Sequence, residues 1–269
     1  MMGASLCKSI KKHKASNNIA GFDIDPDTLN YALKNNIVDR AHNDLSNLDH
    51  PDLIILCTPL STYTQIITQI IKVINKKTIL TDIGSSKGSS HLKIIKNLSK
   101  TKVDYLSSHP MVGSEKSGIR FSKANMYEDK IVFIIDKETV NQSVYNQINS
   151  FWSSIGANTH KINMKEHDDL MSKTSHISHL MSYIFMESLP QSIIENNLPL
   201  LLGGGIKEHV RLSKSDPTMW SDIFINNNKN IKKSISTIEK NISKIKKLIE
   251  KSEKEKIKKL LKKIQSKTS

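Results

Sequence analysis

The stretch Asp52-Leu53-Ile54-Ile55-Leu56-Cys57-Thr58 is almost wholly apolar over the length of one strand. That is the signature of a strand buried on both faces, which needs helices packed on either side. The chain supplies them by alternation. Thr78 to Gly84 and Lys130 to Asp136 are further strand-like runs, with helical patterns over about Thr62 to Val73 and Val140 to Ile155. Shorter strands are expected over Asn18 to Phe22, Val103 to Leu106 and Ala157 to Ile162, and a helix opening at Gly3. This order predicts an α/β fold with a doubly wound parallel sheet. After Asn163 strand signals stop, so we place a boundary there, with an α/β domain over 1–163 and an all-helical one over 164–269.

Gly3 opens its helix with small residues, and Asp23 ends the following strand twenty residues later. A helix beginning on glycine, with an acidic residue at a strand end about 20 residues on, is the second half of a dinucleotide fingerprint. In that arrangement helix amides face the pyrophosphate and the carboxylate accepts from the adenosine ribose. Asp25-Pro26-Asp27 then starts the next helix, with proline in the first turn and an acid at its positive end. The first half of the fingerprint, a strand and two more glycines, is missing. A lost central strand would leave its neighbours' backbone groups unpaired, so we expect the start codon to lie upstream or the chain to be a fragment.

Composition narrows the class. No run approaches the ~20 apolar residues of a membrane span, and no secretion signal opens the chain. We expect a soluble protein. Cys7 and Cys57, far apart in apolar surroundings, suggest buried thiols in a reducing cytoplasm, with no disulfide or metal framework. The formal charge of +14 is concentrated at the end: from Lys229 to Ser269 there are 15 Lys against 4 Glu. With 37 Lys to 3 Arg across the chain, lysine is its habitual polar residue, so a basic surface argues little for nucleic acid.

The chemistry-bearing stretch is His109-Pro110-Met111-Val112-Gly113-Ser114-Glu115-Lys116-Ser117-Gly118. A proline beside a histidine, then two glycines within ten residues, reads as a shaped loop. It follows the strand at Val103 to Leu106, and carboxyl ends of parallel strands are where open α/β sheets bind ligands. Histidine titrates nearest neutral pH, so His109 can give or take a proton there. A histidine that bonds only its own loop is the plainer alternative. His176 and His179 lie three apart, on one helix face, but no third metal ligand has sensible spacing. Leu202-Gly203-Gly204-Gly205-Ile206 lacks the Lys-Ser/Thr of a phosphate loop. Arg211 stands where composition would have supplied lysine, which points to a need for a planar bidentate donor, for example toward a carboxylate. Holding a helix terminus is the alternative.

The decapeptide at His109 resembles the HPMxGxExSG loop of prephenate and arogenate dehydrogenases. Met2-Gly3-Ala4-Ser5-Leu6 is similar to the end of that family's G-x-G-L-M-G-x-S-L run. Thr58-Pro59 resembles its turn at the nicotinamide ribose, and Thr81-Asp82-Ile83-Gly84-Ser85-Ser86-Lys87 its T-D-x-G-S-x-K. His167-Asp168 and Ser175-His176-Ile177-Ser178-His179 match its H-D and S-H-x-x-H. The glycines at 203–205, then Arg211 and Ser215-Asp216-Pro217 with Trp220, resemble its G-G-G, arginine and S-x-P-x-W, with one residue more in the last spacing.

The resemblance implies a monofunctional, cytoplasmic enzyme of tyrosine biosynthesis, with a Rossmann-type NAD-binding domain and a helical substrate-binding and dimerisation domain. It implies that His109 takes the ring hydroxyl proton and that Ser85 orients the hydroxyl beside the nicotinamide, where a helix N-cap would be its plainer role. Arg211 would bind a substrate carboxylate, and His179, Glu115, Gly113 and Ser114 would complete the pocket. Gly3, Asp23, Thr58, Pro59 and Ser85 would bind cofactor, with Asp23 favouring NAD over NADP by repelling a 2′-phosphate. His167 and His176 would be structural. Two competitors stand beside this reading: a hydroxy-acid dehydrogenase of similar layout, and an inactive nucleotide-binding or scaffold protein.

Ile231, Ile235, Ile238, Ile242, Ile245 and Ile249 are spaced 4-3-4-3-4, which predicts a long amphipathic helix packing on another, in the core or in a homodimer. Ile257, Leu260, Leu261 and Ile264 continue one residue out of phase, as a stutter would. Binding of RNA or an anionic surface is the lesser reading of its lysines.

Overall fold

The computed structural model describes residues 1–16, 18–48, 50–113, 116–136, 141–192 and 204–267. Two compact units emerge, Met1–Asn227 and Asn228–Ser269. The first opens on α1 (Met2–Lys12), followed by β1 (Ala20–Phe22), α2 (Pro26–Lys34) and β2 (Arg40–His42). Asp25 caps α2 by accepting from the Asp27 amide, with Pro26 at the first position, so this start is built as its sequence implies. Next come β3 (Leu53–Leu56), α3 (Tyr63–Val73), β4 (Thr78–Asp82), α4 (Gly88–Leu98), β5 (Val103–Tyr105) and β6 (Ser107–Pro110). Then β7 (Ile131–Asp136), α5 (Gln142–Ser154) and β8 (Asn158–Asn163) complete the strands among the described residues.

β1 pairs with β2, β3 with β4, β4 with β5 and β7 with β8, all parallel; β6 and β7 are antiparallel. The last pairing departs from the all-parallel expectation. It arises because β5 runs on through Leu106, whose amide still donates to Leu80 of β4 at 3.1 Å, into residues that pair with the next strand. The described strands form three hydrogen-bonded sheets, β1-β2, β3-β4-β5 and β6-β7-β8, and β4, central in the second, shows the double winding. Its Ile79 joins the core of Leu6, Ile10, Ile148 and Trp152 from α1 and α5. Leu80 joins the core of Tyr63, Ile67, Ile70, Ile94 and Leu98 from α3 and α4. Successive side chains thus point to opposite helical layers, the period-2 consequence of the pleat. Cys7 and Cys57 are free thiols, and burial pushes them up to about 11 and about 12.

After Asn163 only helices follow among the described residues: α6 (Met164–Met171), a π-helical turn (Ser172–His176), α7 (Ile177–Glu187), α8 (Gly204–Ser213) and α9 (Pro217–Asn226). The second unit contains α10 (Asn228–Glu250) and α11 (Lys254–Gln265). The out-of-phase repeat is therefore a break, not a continuous stuttered helix. Ser252 takes a positive φ of 50° and the Glu253 amide donates to Leu248, which ends α10 before α11 begins. Ile242, Ile249, Leu261 and Ile264 are exposed on this unit. No helix among the described residues is long and apolar enough to cross a membrane.

Candidate active site

His109 lies in β6, in register with Phe133 of β7, and not in a loop. The ladder continues to Met111, whose amide donates to the Ile131 carbonyl at 2.8 Å, so chain reversal is postponed to the residues after it. The glycines serve that later segment: Gly118 has φ +87°, and Gly113 has open space about it. Ser114 and Glu115, two of the expected pocket residues, lie outside the described residues, as does Gly203. Being in a ladder rather than a loop gives His109 a fixed backbone and a side chain only 6% exposed. Burial, then the neighbouring His167, Lys87 and His176, push its imidazole well below the ordinary 6.5. It is therefore neutral at physiological pH.

The imidazole of His109 does not stand alone. Its Nδ1 is 2.8 Å from Nε2 of His167 on α6, and Nδ1 of His167 is 2.9 Å from the Asp168 carboxylate. Asp168 in turn accepts from the backbone amides of Lys87 at 3.0 Å and Gly88 at 2.7 Å. These are orphan donors at the start of α4, so an acid on α6 caps a helix on the sheet half. Burial opposes ionisation of Asp168, but the bonds from His167, Gly88 and Lys87 hold its carboxyl below the usual range. The N-cap position of α4 is Lys87, not Ser85, and it uses no side chain of its own.

Beneath His109 lies a second polar cluster. Lys87, 1% exposed, donates to Asp82 and to the Ser108 carbonyl, both at 2.8 Å. Asp82 also accepts from Tyr105 at 2.8 Å, from Ser107 and from the Gly84 amide at 2.9 Å. Burial opposes its charge, yet Lys87 and these donors hold Asp82 below the usual carboxylate range. The Ser108 hydroxyl is fixed by Thr81 at 2.9 Å and the Trp152 indole N–H at 3.0 Å. The strand bearing His109 is thus pinned at the two residues that precede it. Buried and fully bonded, such a network is rigid. Composition gave no hint of this pair; the signal lay in Thr81 to Lys87, a segment singled out for Ser85 alone.

The helical segments contribute a third group. Asn227 donates to the Asp168 carbonyl at 2.7 Å and approaches His176 Nδ1 at 3.2 Å. Burial lowers His176 to about 4. Its ring meets Trp220 edge-on, while His179 stacks on the same indole with centroids 3.7 Å apart. His179 Nδ1 donates to the Ser175 carbonyl at 3.0 Å, which leaves Nε2 as its acceptor. Arg211 on α8 holds Glu208 through Nε at 3.0 Å, one turn away, and both lie near enough to act electrostatically on His179. Arg211 is about half exposed. His109, His167, Asp168, Asn227, His176, Trp220 and His179 therefore form one contiguous series, and Arg211 acts on its last member electrostatically.

The residues expected to hold a dinucleotide follow the carboxyl ends of β1, β3 and β4 or open α1. Gly3, in the first turn of α1, has the Cys57 Cβ only 3.0 Å from where its own Cβ would stand, so glycine allows that turn against the end of β3. The first turn of α1 has no side-chain cap. Asp23 follows β1 and accepts from the Asp25 amide at 3.0 Å. Thr58, with Pro59 after it, accepts from the Thr62 hydroxyl at 2.9 Å. Ser85 is partly exposed, its backbone beside His176. A close helix N-terminus, an acid after β1 and small residues after β3 and β4 fit a dinucleotide. Among the described residues no cluster of three metal-ligating side chains occurs.

Comparisons with known proteins agree across both halves. Residues 6–161 match the family model described as prephenate dehydrogenase, nucleotide-binding domain, and residues 163–263 that described as prephenate dehydrogenase, dimerization domain. The chain is 25% identical over 236 residues to a prephenate dehydrogenase of Bacillus subtilis, covering 86% of this chain and 63% of that protein. A prephenate dehydrogenase of Lactococcus lactis is 27% identical over 230 residues, covering 84% and 62%. The chain thus spans less than two thirds of the length of these relatives. The crystal structure of prephenate dehydrogenase from A. aeolicus in complex with hydroxyphenyl propionate and NAD+ superposes with a TM-score of 0.89 at 28% identity, over 99% of this chain and 93% of that one.

Proposed function

The chain belongs to the prephenate dehydrogenase family, and from that membership we propose that it oxidatively decarboxylates prephenate or arogenate with NAD in tyrosine biosynthesis. The observation that carries this reading is the buried, neutral His109, backed by His167. The A. aeolicus relative, crystallised with an aromatic carboxylic acid and NAD+, supports the same substrate and cofactor classes.

Bound NAD+ would supply the hydride acceptor. His109 accepts the proton of the ring hydroxyl as hydride departs from the carbon that bears it, and the ring carboxylate leaves as CO2 to give an aromatic ring. Arg211 exchanges its Glu208 partner for a substrate carboxylate and holds the reacting carbon in place. Ser85 orients the hydroxyl, and His179 and Gly113 complete the substrate site. Gly3, Asp23, Thr58 and Pro59 hold the dinucleotide, with Asp23 favouring NAD over NADP. We further propose a domain division at residues 163 and 164, a homodimer formed through the helical domain, and a cytoplasmic location.

The test is NADH formation with prephenate and with arogenate, followed by release of CO2. Turnover of either in equal stoichiometry supports the proposal. Oxidation of a simple 2-hydroxy acid with neither cyclohexadienyl substrate consumed would replace it.

A further inference from the structure

We propose that His167 and Asp168 are positioning residues that hold His109 in its Nδ1–H tautomer, so that Nε2 is the bare acceptor presented to the substrate. This deepens the role given to His109 above and rests on that reading for its catalytic meaning. Its structural basis is independent of it.

Two imidazole nitrogens 2.8 Å apart need one donor and one acceptor, and either ring could supply the proton. The far end of the series decides. Asp168 is ionised and already accepts two backbone amides, so it can only accept from His167 Nδ1. The His167 proton therefore sits on Nδ1. Burial depresses this ring below its ordinary value, more than Asp168 restores, so it carries no second proton near neutral pH. Its Nε2 is a lone pair and must accept from His109 Nδ1–H. The opposite tautomer of His109 would set two lone pairs against each other in a buried site. Among the described residues no hydrogen-bond partner meets His109 Nε2.

Phe133 packs edge-on against His167 with ring centroids 5.9 Å apart and restrains its orientation. The titratable groups that face His109 are His167 on α6, Lys87 in the β4–α4 turn and His176 in the π-helical turn. Apart from His167, none of them meets His109 Nδ1. The adjacent pair His167-Asp168 also explains itself sterically. Asp168 must point at the α4 N-terminus while His167 points at β6, and consecutive helical positions diverge by about 100°.

The experiment is 15N-histidine NMR of the whole protein, read beside steady-state kinetics on prephenate and arogenate. In the unsubstituted protein His109 should appear as the Nδ1–H tautomer. His167→Phe should shift it toward Nε2–H and lower kcat by about 10–100-fold with KM nearly unchanged, as loss of an orienting partner does. His167→Gln, which keeps an acceptor, should restore part of both. Asp168→Asn should randomise the His167 tautomer, and thermal melts identify any variant that fails to fold. Finding His109 as Nε2–H, or an unchanged tautomer and kcat in His167→Phe, overturns the proposal. Absence of turnover in the unsubstituted protein would instead remove the functional reading, while the NMR result still decides the tautomer.

Discussion

The backbone carbonyl of Asn226 occupies the space in which a side chain on Gly88 would stand: a Cβ there would lie 2.0 Å from that oxygen. The carboxyl end of α9 thereby meets the amino end of α4, an alignment both helix dipoles favour. The Asn226 side chain strengthens it by accepting from the Ser90 amide at 3.0 Å. Neither the carbonyl nor the glycine backbone can yield cheaply. Gly88→Ala should therefore destabilise the protein by about 1–3 kcal/mol or more, the cost of overpacking against fixed atoms. Thermal unfolding measures it, and an unchanged melting temperature would show that the two helix ends separate freely.

The acid limb of the rate should be displaced. A histidine acceptor works only when neutral, and burial with His167, Lys87 and His176 nearby pushes His109 well below 6.5. As pH falls through 6.5, kcat/KM should stay level and then drop at lower pH, as the imidazole finally protonates. A rate that halves near 6.5 would mean that His109 titrates like an exposed histidine.

Much of this arrangement could be read in the sequence where one local rule dominated. The apolar run at Asp52 and the capped start at Asp25-Pro26 became β3 and α2 because burial and capping are local signals. Pro110 and the following glycines argue for a loop at His109, where the fold has a strand. The ladder with β7 is a long-range pairing that no local pattern announces. The resemblance makes His167 structural, and the fold places its Nε2 2.8 Å from His109 Nδ1. The signal was present in His167-Asp168, but which acid faces which amide depends on how α6 docks on α4. The Lys87–Asp82 pair was similarly hidden, since two charges five residues apart say nothing about burial until the strand and turn are folded.

Stability should depend on His176. Its value is about 4 in the folded protein against 6.5 ordinarily, so between these limits the unfolded chain binds more protons. Stability must then rise with pH across that window and be lost as pH falls from 6.5 toward 4. The full effect is on the order of 3 kcal/mol, at ~1.4 kcal/mol per unit. Urea midpoints at pH 7 and pH 5, compared with those of His176→Gln, isolate this share. Identical pH dependence in the two proteins would mean that another group is responsible.

Arg211→Gln should raise KM for the substrate by ~10–100-fold, the usual worth of a hydrogen-bonded charge pair, with a smaller change in kcat. Arg211→Lys should recover only part, because an ammonium cannot grip a carboxylate with the two parallel bonds that Arg211 now gives Glu208. Steady-state kinetics across the three proteins provide the check. An unaltered KM in Arg211→Gln would remove Arg211 from the carboxylate site.

The most direct test of the account is the turnover of His109→Asn, measured with substrate binding determined separately by calorimetry. The account predicts a fall in kcat of ~10²–10⁴-fold, the usual effect of losing acid–base catalysis, with the dissociation constant nearly unchanged. Turnover equal to that of the unsubstituted protein would contradict it.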